Sequence, residues 1–170
     1  LLLSPIDISV PTVIDADGLN ILSTHYRWWD RLPKNCVLTP HPGEMSRMTR
    51  ISVEKIQNSR LEIAKEFSGK WDQILVLKGA NTVVALPNGE SWVSDIVTPS
   101  LSSAGTGDVL AGLISGLIAQ GLDTKDATIS GVYIHGAAGE IMGKKIGDSG
   151  TLASDLLSEI PLVMSEIRNS

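Results

Sequence analysis

Several features that would narrow the function at once are missing. The 170 residues contain one cysteine, Cys36, which excludes an internal disulfide framework and fits a reducing compartment. Basic residues are not in excess: 14 Lys and Arg stand against 19 Asp and Glu, a net charge of −5. The footprint expected of a DNA- or RNA-binding surface is therefore absent, although one loop can still hold a nucleotide. The most apolar run, Val109 to Leu122, is broken by Gly112, Ser115, Gly116 and Gln120 and is too short to cross a bilayer. Leu1-Leu2-Leu3-Ser4-Pro5 lacks the length and basic flank of a secretory signal. Low-complexity sequence and internal repeats are also missing. We therefore expect no membrane or nucleic-acid partner and a cytoplasmic setting. At 42% hydrophobic residues the chain can bury one core, so a single domain is expected.

What is present is organised around Ser102-Ser103-Ala104-Gly105-Thr106-Gly107-Asp108. This small-residue loop runs into a helical pattern at Leu110, Leu113, Ile114, Leu117 and Ile118. Gly105 and Gly107 let a ligand approach the main chain, and the first amides of a helix suit phosphate or a developing oxyanion. Asp108 brings a carboxylate into the same turn. The plain alternative is that Asp108 caps the helix and the glycines only make the turn.

Buried strands are expected at Pro11–Asp15, Cys36–Thr39 and Ile74–Leu77, and a hairpin over Thr82 to Ser94 with Asn88-Gly89 at its tip. Helices are expected over Ala16–Leu22, over Ser52–Ser68 with Ser52 as N-cap and Gly69 as stop, and from about Thr124 to Lys145. From Thr151 onward the chain again reads as helical, split in two by Pro161. Alternating strands and helices predict an α/β fold with a mainly parallel sheet. Chemistry-bearing residues recur at the strand ends, where such sheets bind ligands. Asp15 and Asp17 follow the first strand; the plain alternative is a pair of turn-forming aspartates. His41 is stiffened between Pro40 and Pro42 after the second strand. Lys78 follows the third, either to meet a phosphate or as an ordinary strand-end lysine. His135, within a helix, reads as a packed and satisfied residue.

Together, Asp15-Ala16-Asp17-Gly18-Leu19-Asn20, Thr39-Pro40-His41-Pro42-Gly43-Glu44, Lys78-Gly79-Ala80-Asn81-Thr82 and Ala104-Gly105-Thr106-Gly107-Asp108 resemble the ADP/ATP-dependent NAD(P)H-hydrate dehydratases. These are the carbohydrate-kinase-like domains of YjeF-type proteins in the ribokinase-like superfamily. The Gly-Thr-Gly-Asp loop marks only the superfamily; the Thr39–Glu44 and Lys78–Thr82 stretches make the likeness specific. The resemblance implies a three-layer α/β/α sandwich and a lyase that repairs 6-hydroxylated NADH or NADPH. A nucleotide phosphate activates the hydroxyl, and elimination follows. It places His41 and Asp108 at the hydrated dinucleotide, with Asp108 as general base. Lys78, Gly79, Ala80, Asn81, Thr82 and Gly107 fall at the adenine nucleotide, and Gly105, Thr106 and Gly107 at the transferring phosphoryl group. Asp15, Asn20 and Glu44 match the motifs as site-supporting residues. ADP or ATP with Mg²⁺, and a homo-oligomer, tetrameric in the family, are implied as well.

Two departures stand out. Thr98-Pro99-Ser100-Leu101 replaces the Asn-Pro-Gly-Met common in the family. The first strands and an early glycine-rich region have no counterpart, so residues 1–170 read as the C-terminal portion of the domain, expected to self-associate when isolated. Two other readings share the Asp108 loop: a ribokinase-like vitamin or sugar kinase, and a non-catalytic nucleotide-binding remnant.

Overall fold

The structure, a computed structural model, describes residues 10–147 and 149–169; Leu1-Leu2-Leu3 lies outside them. The three apolar runs form β1 (Thr12–Ile14), β2 (Cys36–Leu38) and β3 (Ile74–Leu77). They pair in parallel, with Thr12 opposite Cys36 and Val37 opposite Ile74. The hairpin then extends the sheet with β4 (Val83–Ala85) and β5 (Ser91–Val93), both antiparallel, in the order β1-β2-β3-β4-β5. Its tip forms where expected: Gly89 takes φ +89° and its amide bonds to Leu86 O at 3.0 Å.

Alternation along the strands creates two apolar faces. Cys36, Leu38, Leu75, Leu77, Val83 and Ala85 share a cluster with Leu19, Met45, Ile63 and Trp71. These come from α1 (Ala16–Ser23), α2 (Pro42–Thr49) and α4 (Arg60–Trp71). Val37, Ile74, Val76 and Val84 pack instead against Leu110, Ile114 and Val132, supplied by α5 (Thr106–Ala119) and α6 (Thr124–Ile146). The result is the three-layer α/β/α sandwich. A third cluster, including Leu117, Ile134, Met142, Leu156 and Val163, docks α7 (Leu156–Asn169). Cys36 is fully buried, and burial pushes its thiol up to about 11.

Several helices depart from the sequence pattern. The helix expected over Ser52–Ser68 divides at Ser59 into α3 (Val53–Asn58) and α4; Ser52 caps α3 as expected, accepting from Lys55 N at 3.3 Å. Gly69 does not stop α4, which runs to Trp71 and ends on Asp72 in the left-handed region. Trp71 is buried 4.8 Å from Trp28 and 5.0 Å from Phe67, and continuing the helix is what secures that burial. Pro161 does not split α7. The carbonyl deprived of a donor belongs to Leu157, an exposed residue, so water can satisfy it. The Pro40–Pro42 turn also opens a helix that periodicity did not reveal: α2 starts at Pro42, where proline's missing N–H costs no helical bond.

Candidate active site

Parallel pairing places the ends of β1, β2 and β3 on one edge of the sheet, and backbone bonds continue past the strands. Thr39 N donates to Ile14 O at 3.2 Å and Lys78 N to Pro40 O at 2.9 Å. Lys78 Nζ reaches Asp15 Oδ1 at 2.6 Å and lies 4.0 Å from Glu44 Oε2. All three side chains are largely shielded, at 17%, 11% and 6% exposure. The cation therefore sits between two carboxylates. Asp15 holds the N-cap position of α1, but its side chain makes no capping hydrogen bond and pairs with Lys78 instead, so the turn-forming alternative does not account for it. The residue after it, Ala16, is held at φ +48°, an uncommon conformation for alanine.

His41 is fixed by more than its prolines. Its Nδ1 accepts from Gly43 N at 3.0 Å and Glu44 N at 3.4 Å, while Glu44 Oε2 accepts from His41 N at 2.8 Å. This reciprocal cap assigns the ring proton of neutral His41 to Nε2, which faces Glu44 Oε1 at 3.4 Å. A side-chain carbon at Gly43 would lie 2.7 Å from His41 Cε1, so the ring needs that glycine beneath it.

The organising loop enters from the opposite layer. Gly105 is the N-cap of α5 at φ +87°, without a side-chain cap, and Asp108 lies in the first helical turn. Among the described residues the exposed Asp108 carboxylate has no hydrogen-bond partner, so the capping alternative is not realised. A side-chain carbon at Gly107 would fall 3.1 Å from Lys78 Nζ and 3.7 Å from Asp15 Oδ2. The loop thus closes directly over the ion pair, and the four motifs meet.

Beside them lies a cleft of about 610 Å³. His41, Lys78, Gly79, Ala80, Thr82, Thr106 and Gly107 line it. Asp15, Glu44, Gly105 and Asp108 are not in its lining; Asp15 and Glu44 bear on it through Lys78 and His41, and Gly105 and Asp108 flank the lining residues Thr106 and Gly107 at the start of α5. Asn81 turns away at φ +54°, donating to Ser94 O at 3.3 Å. Asn20 also lies outside the cleft lining, bonded to Arg47 Nε at 2.8 Å.

Two supporting residues carried no signal in the sequence for these roles. Arg60, on what reads as a solvated helix face, sends Nη2 to Leu77 O at 2.7 Å and Lys78 O at 3.2 Å. It anchors the turn that presents Gly79 at φ +132°, and burial lowers its pKa. His135 is packed and satisfied as expected, but it also lines the cleft and its Nε2 lies 2.8 Å from Thr106 O. A carbonyl can only accept, so Nε2 carries the proton.

Burial, aided by the charge of Lys78, depresses the His135 pKa to about 4 against the bond to Thr106, which raises it. The native state then resists a proton that the unfolded chain takes up below about pH 6.5. Stability from this group is intact above that pH and declines as the pH falls towards 4. Urea unfolding should show a loss of roughly 2 kcal/mol between pH 7 and pH 5, reduced in His135→Gln. An equal loss in that variant would assign the acid sensitivity to other groups.

Comparison with known proteins bears directly on this arrangement. The family model described as NAD(P)H-hydrate dehydratase matches residues 5–162. The chain belongs to that family. Within the NAD(P)H-hydrate dehydratase family, it is 43% identical over 160 residues to a bifunctional NAD(P)H-hydrate repair enzyme of Moorella thermoacetica, covering 94% of this chain and 30% of that protein. It is 36% identical over 153 residues to the ADP-dependent (S)-NAD(P)H-hydrate dehydratase of Bacillus subtilis, covering 90% and 54%. A crystal structure of the Bacillus subtilis ADP/ATP-dependent enzyme, grown with ATP and Mg²⁺, superposes with a TM-score of 0.83 at 36% identity, over 92% of this chain and 55% of that one. The chain thus spans about a third to a half of the length of these relatives.

Proposed function

We propose that this chain carries the nucleotide-dependent dehydration of hydrated NADH and NADPH, a lyase reaction that returns the damaged cofactor to its active form. The observation that carries the reading is the convergence of three motifs on one cleft, with His41, Lys78, Thr106 and Gly107 in its lining, and the Asp108 carboxylate next in the chain, outside that lining, free of any partner among the described residues. Hydroxide leaves poorly, and phosphate leaves well. The substrate hydroxyl attacks the terminal phosphorus of ADP or ATP, its proton passes to Asp108, and the phosphoanhydride bond breaks to release AMP or ADP. The ring C–O bond of the resulting ester then breaks to expel phosphate, and loss of a proton from the neighbouring carbon restores the double bond.

The amides of Gly105, Thr106 and Gly107 would stabilise charge on the moving phosphoryl group. His41, its orientation set by Glu44, would contact the dinucleotide. Lys78 and the turn through Gly79, Ala80, Asn81 and Thr82 would border the adenine nucleotide. Lys78 has three N–H donors and commits one to Asp15, leaving two. Among the described residues no cluster of three His, Cys, Asp or Glu side chains could hold a metal ion. Mg²⁺ carried on nucleotide phosphates keeps several of its waters and needs no such cluster. Bound so, it would neutralise phosphate charge. We place the protein in the cytoplasm as a homo-oligomer; among the described residues no helix is long and apolar enough to cross a membrane.

Incubating the protein with hydrated NADH and either ADP or ATP tests the reading. We expect nicotinamide absorbance to return in step with release of inorganic phosphate. A stable phosphate ester formed on a sugar or vitamin, with no such recovery, would show a kinase instead.

A further inference from the structure

The turn that departs from the family pattern carries a hydrogen-bond chain whose direction can be worked out. Pro99–Ser102 forms a 3-10 turn in the cleft wall, preceded by Thr98, which lines the cleft. Ser100 is buried, at 1% exposure. Its Oγ lies 2.6 Å from Gly139 O on α6 and 2.7 Å from Thr98 Oγ1. A serine hydroxyl has one proton, and a carbonyl only accepts. The Ser100 proton therefore goes to Gly139; directing it at Thr98 would leave two oxygens 2.6 Å apart with no proton between them. The contact between the hydroxyls must then use the proton of Thr98. Thr98 Oγ1 is left with lone pairs and nothing to donate.

Packing keeps the chain from reversing. Leu101 sits on Gly139 so closely that a side-chain carbon there would fall 2.6 Å from Leu101 Cγ. Thr106 Oγ1, at the start of α5, is 2.8 Å from Leu101 O and 2.9 Å from Ser103 O. The turn is thus tied to both α5 and α6. An asparagine at position 98 would add an amide with two donors suited to a phosphate oxygen. Threonine bonded to Ser100 offers an acceptor only.

We propose that Thr98 is a specificity-determining residue: it accepts a hydrogen bond from a donor on the bound nucleotide complex and disfavours a bare phosphate oxygen at that point of the wall. This rests on the reading of the cleft as a nucleotide site. Two donors share the required chemistry, a ribose hydroxyl and a water on a nucleotide-borne Mg²⁺.

Calorimetric binding of ADP distinguishes them. Thr98→Val keeps the shape and removes the hydroxyl; it should weaken Mg·ADP about three- to tenfold, and Thr98→Ser should restore most of the loss. If the donor is a ribose hydroxyl, 2′- or 3′-deoxy-ADP binds parent and Thr98→Val alike. If it is Mg²⁺-bound water, the difference disappears for ADP without Mg²⁺. Ser100→Ala frees the Thr98 proton and should narrow the preference for the donor-bearing ligand. Melting temperatures close to the parent's would show that the variants remain folded. Thr98→Val binding as tightly as the parent, an equal loss for every ligand form, or tighter binding by Thr98→Asn would overturn the proposal. Failure of the parent to bind any adenine nucleotide would overturn the reading of the cleft instead.

Discussion

Asp108→Asn is expected to lower turnover of hydrated NADH by ~10²–10⁴-fold, the usual contribution of a positioned base, while binding of the adenine nucleotide stays close to the parent's. The asparagine preserves shape and length but cannot take the proton of the attacking hydroxyl. The test is clean because Asp108 supports little else: it is exposed, accepts no hydrogen bond among the described residues, and does not cap α5. Its stabilising interaction with the helix dipole is worth only ~0.3–1 kcal/mol at an exposed site. Single-turnover kinetics beside nucleotide titration would check this. Near-normal turnover by a folded variant would reduce Asp108 to a favourable charge at a helix start.

Lys78→Met should produce the largest change in stability, ~3–5 kcal/mol, because it removes the cation between two shielded carboxylates. The methionine fills much of the same space, so the loss reports charge rather than a cavity. Adding Asp15→Asn should recover a large part of it, since the amide needs no counter-charge. Chemical unfolding of the parent, both single variants and the double variant measures this coupling. A Lys78→Met protein as stable as the parent would show that the ammonium does not balance Asp15 and Glu44. Nucleotide affinity should also fall, since the two remaining Lys78 donors are assigned to the cleft.

Both expectations join information of two ranges. Continuous apolar runs marked β2 and β3, which are buried on both faces, the shorter Val13-Ile14 marked β1, which is buried only at Ile14, and Asn88-Gly89 marked the hairpin, because burial and a tight turn each demand particular residues locally. The glycines of the α5 loop and the two prolines around His41 were legible for the same reason: backbone constraint is written in adjacent residues. Helix ends were less so. Gly69 gave way to Trp71, and Pro161 was absorbed into α7, because burial and solvent access at those points depend on distant partners. By itself, then, the sequence determined the α/β class, the strand-end placement of Asp15, His41 and Lys78, and the helix-start placement of Asp108. Tertiary structure alone decided that Lys78 pairs with Asp15 across 63 positions, that Arg60 braces the turn after β3, and that His135 holds Thr106. It also decided that Gly139 O, 39 positions along the chain, takes the Ser100 proton, which leaves Thr98 to donate its own to Ser100. Each of these is a contact between groups far apart in the chain, and its strength and direction depend on burial and on which acceptor lies within reach.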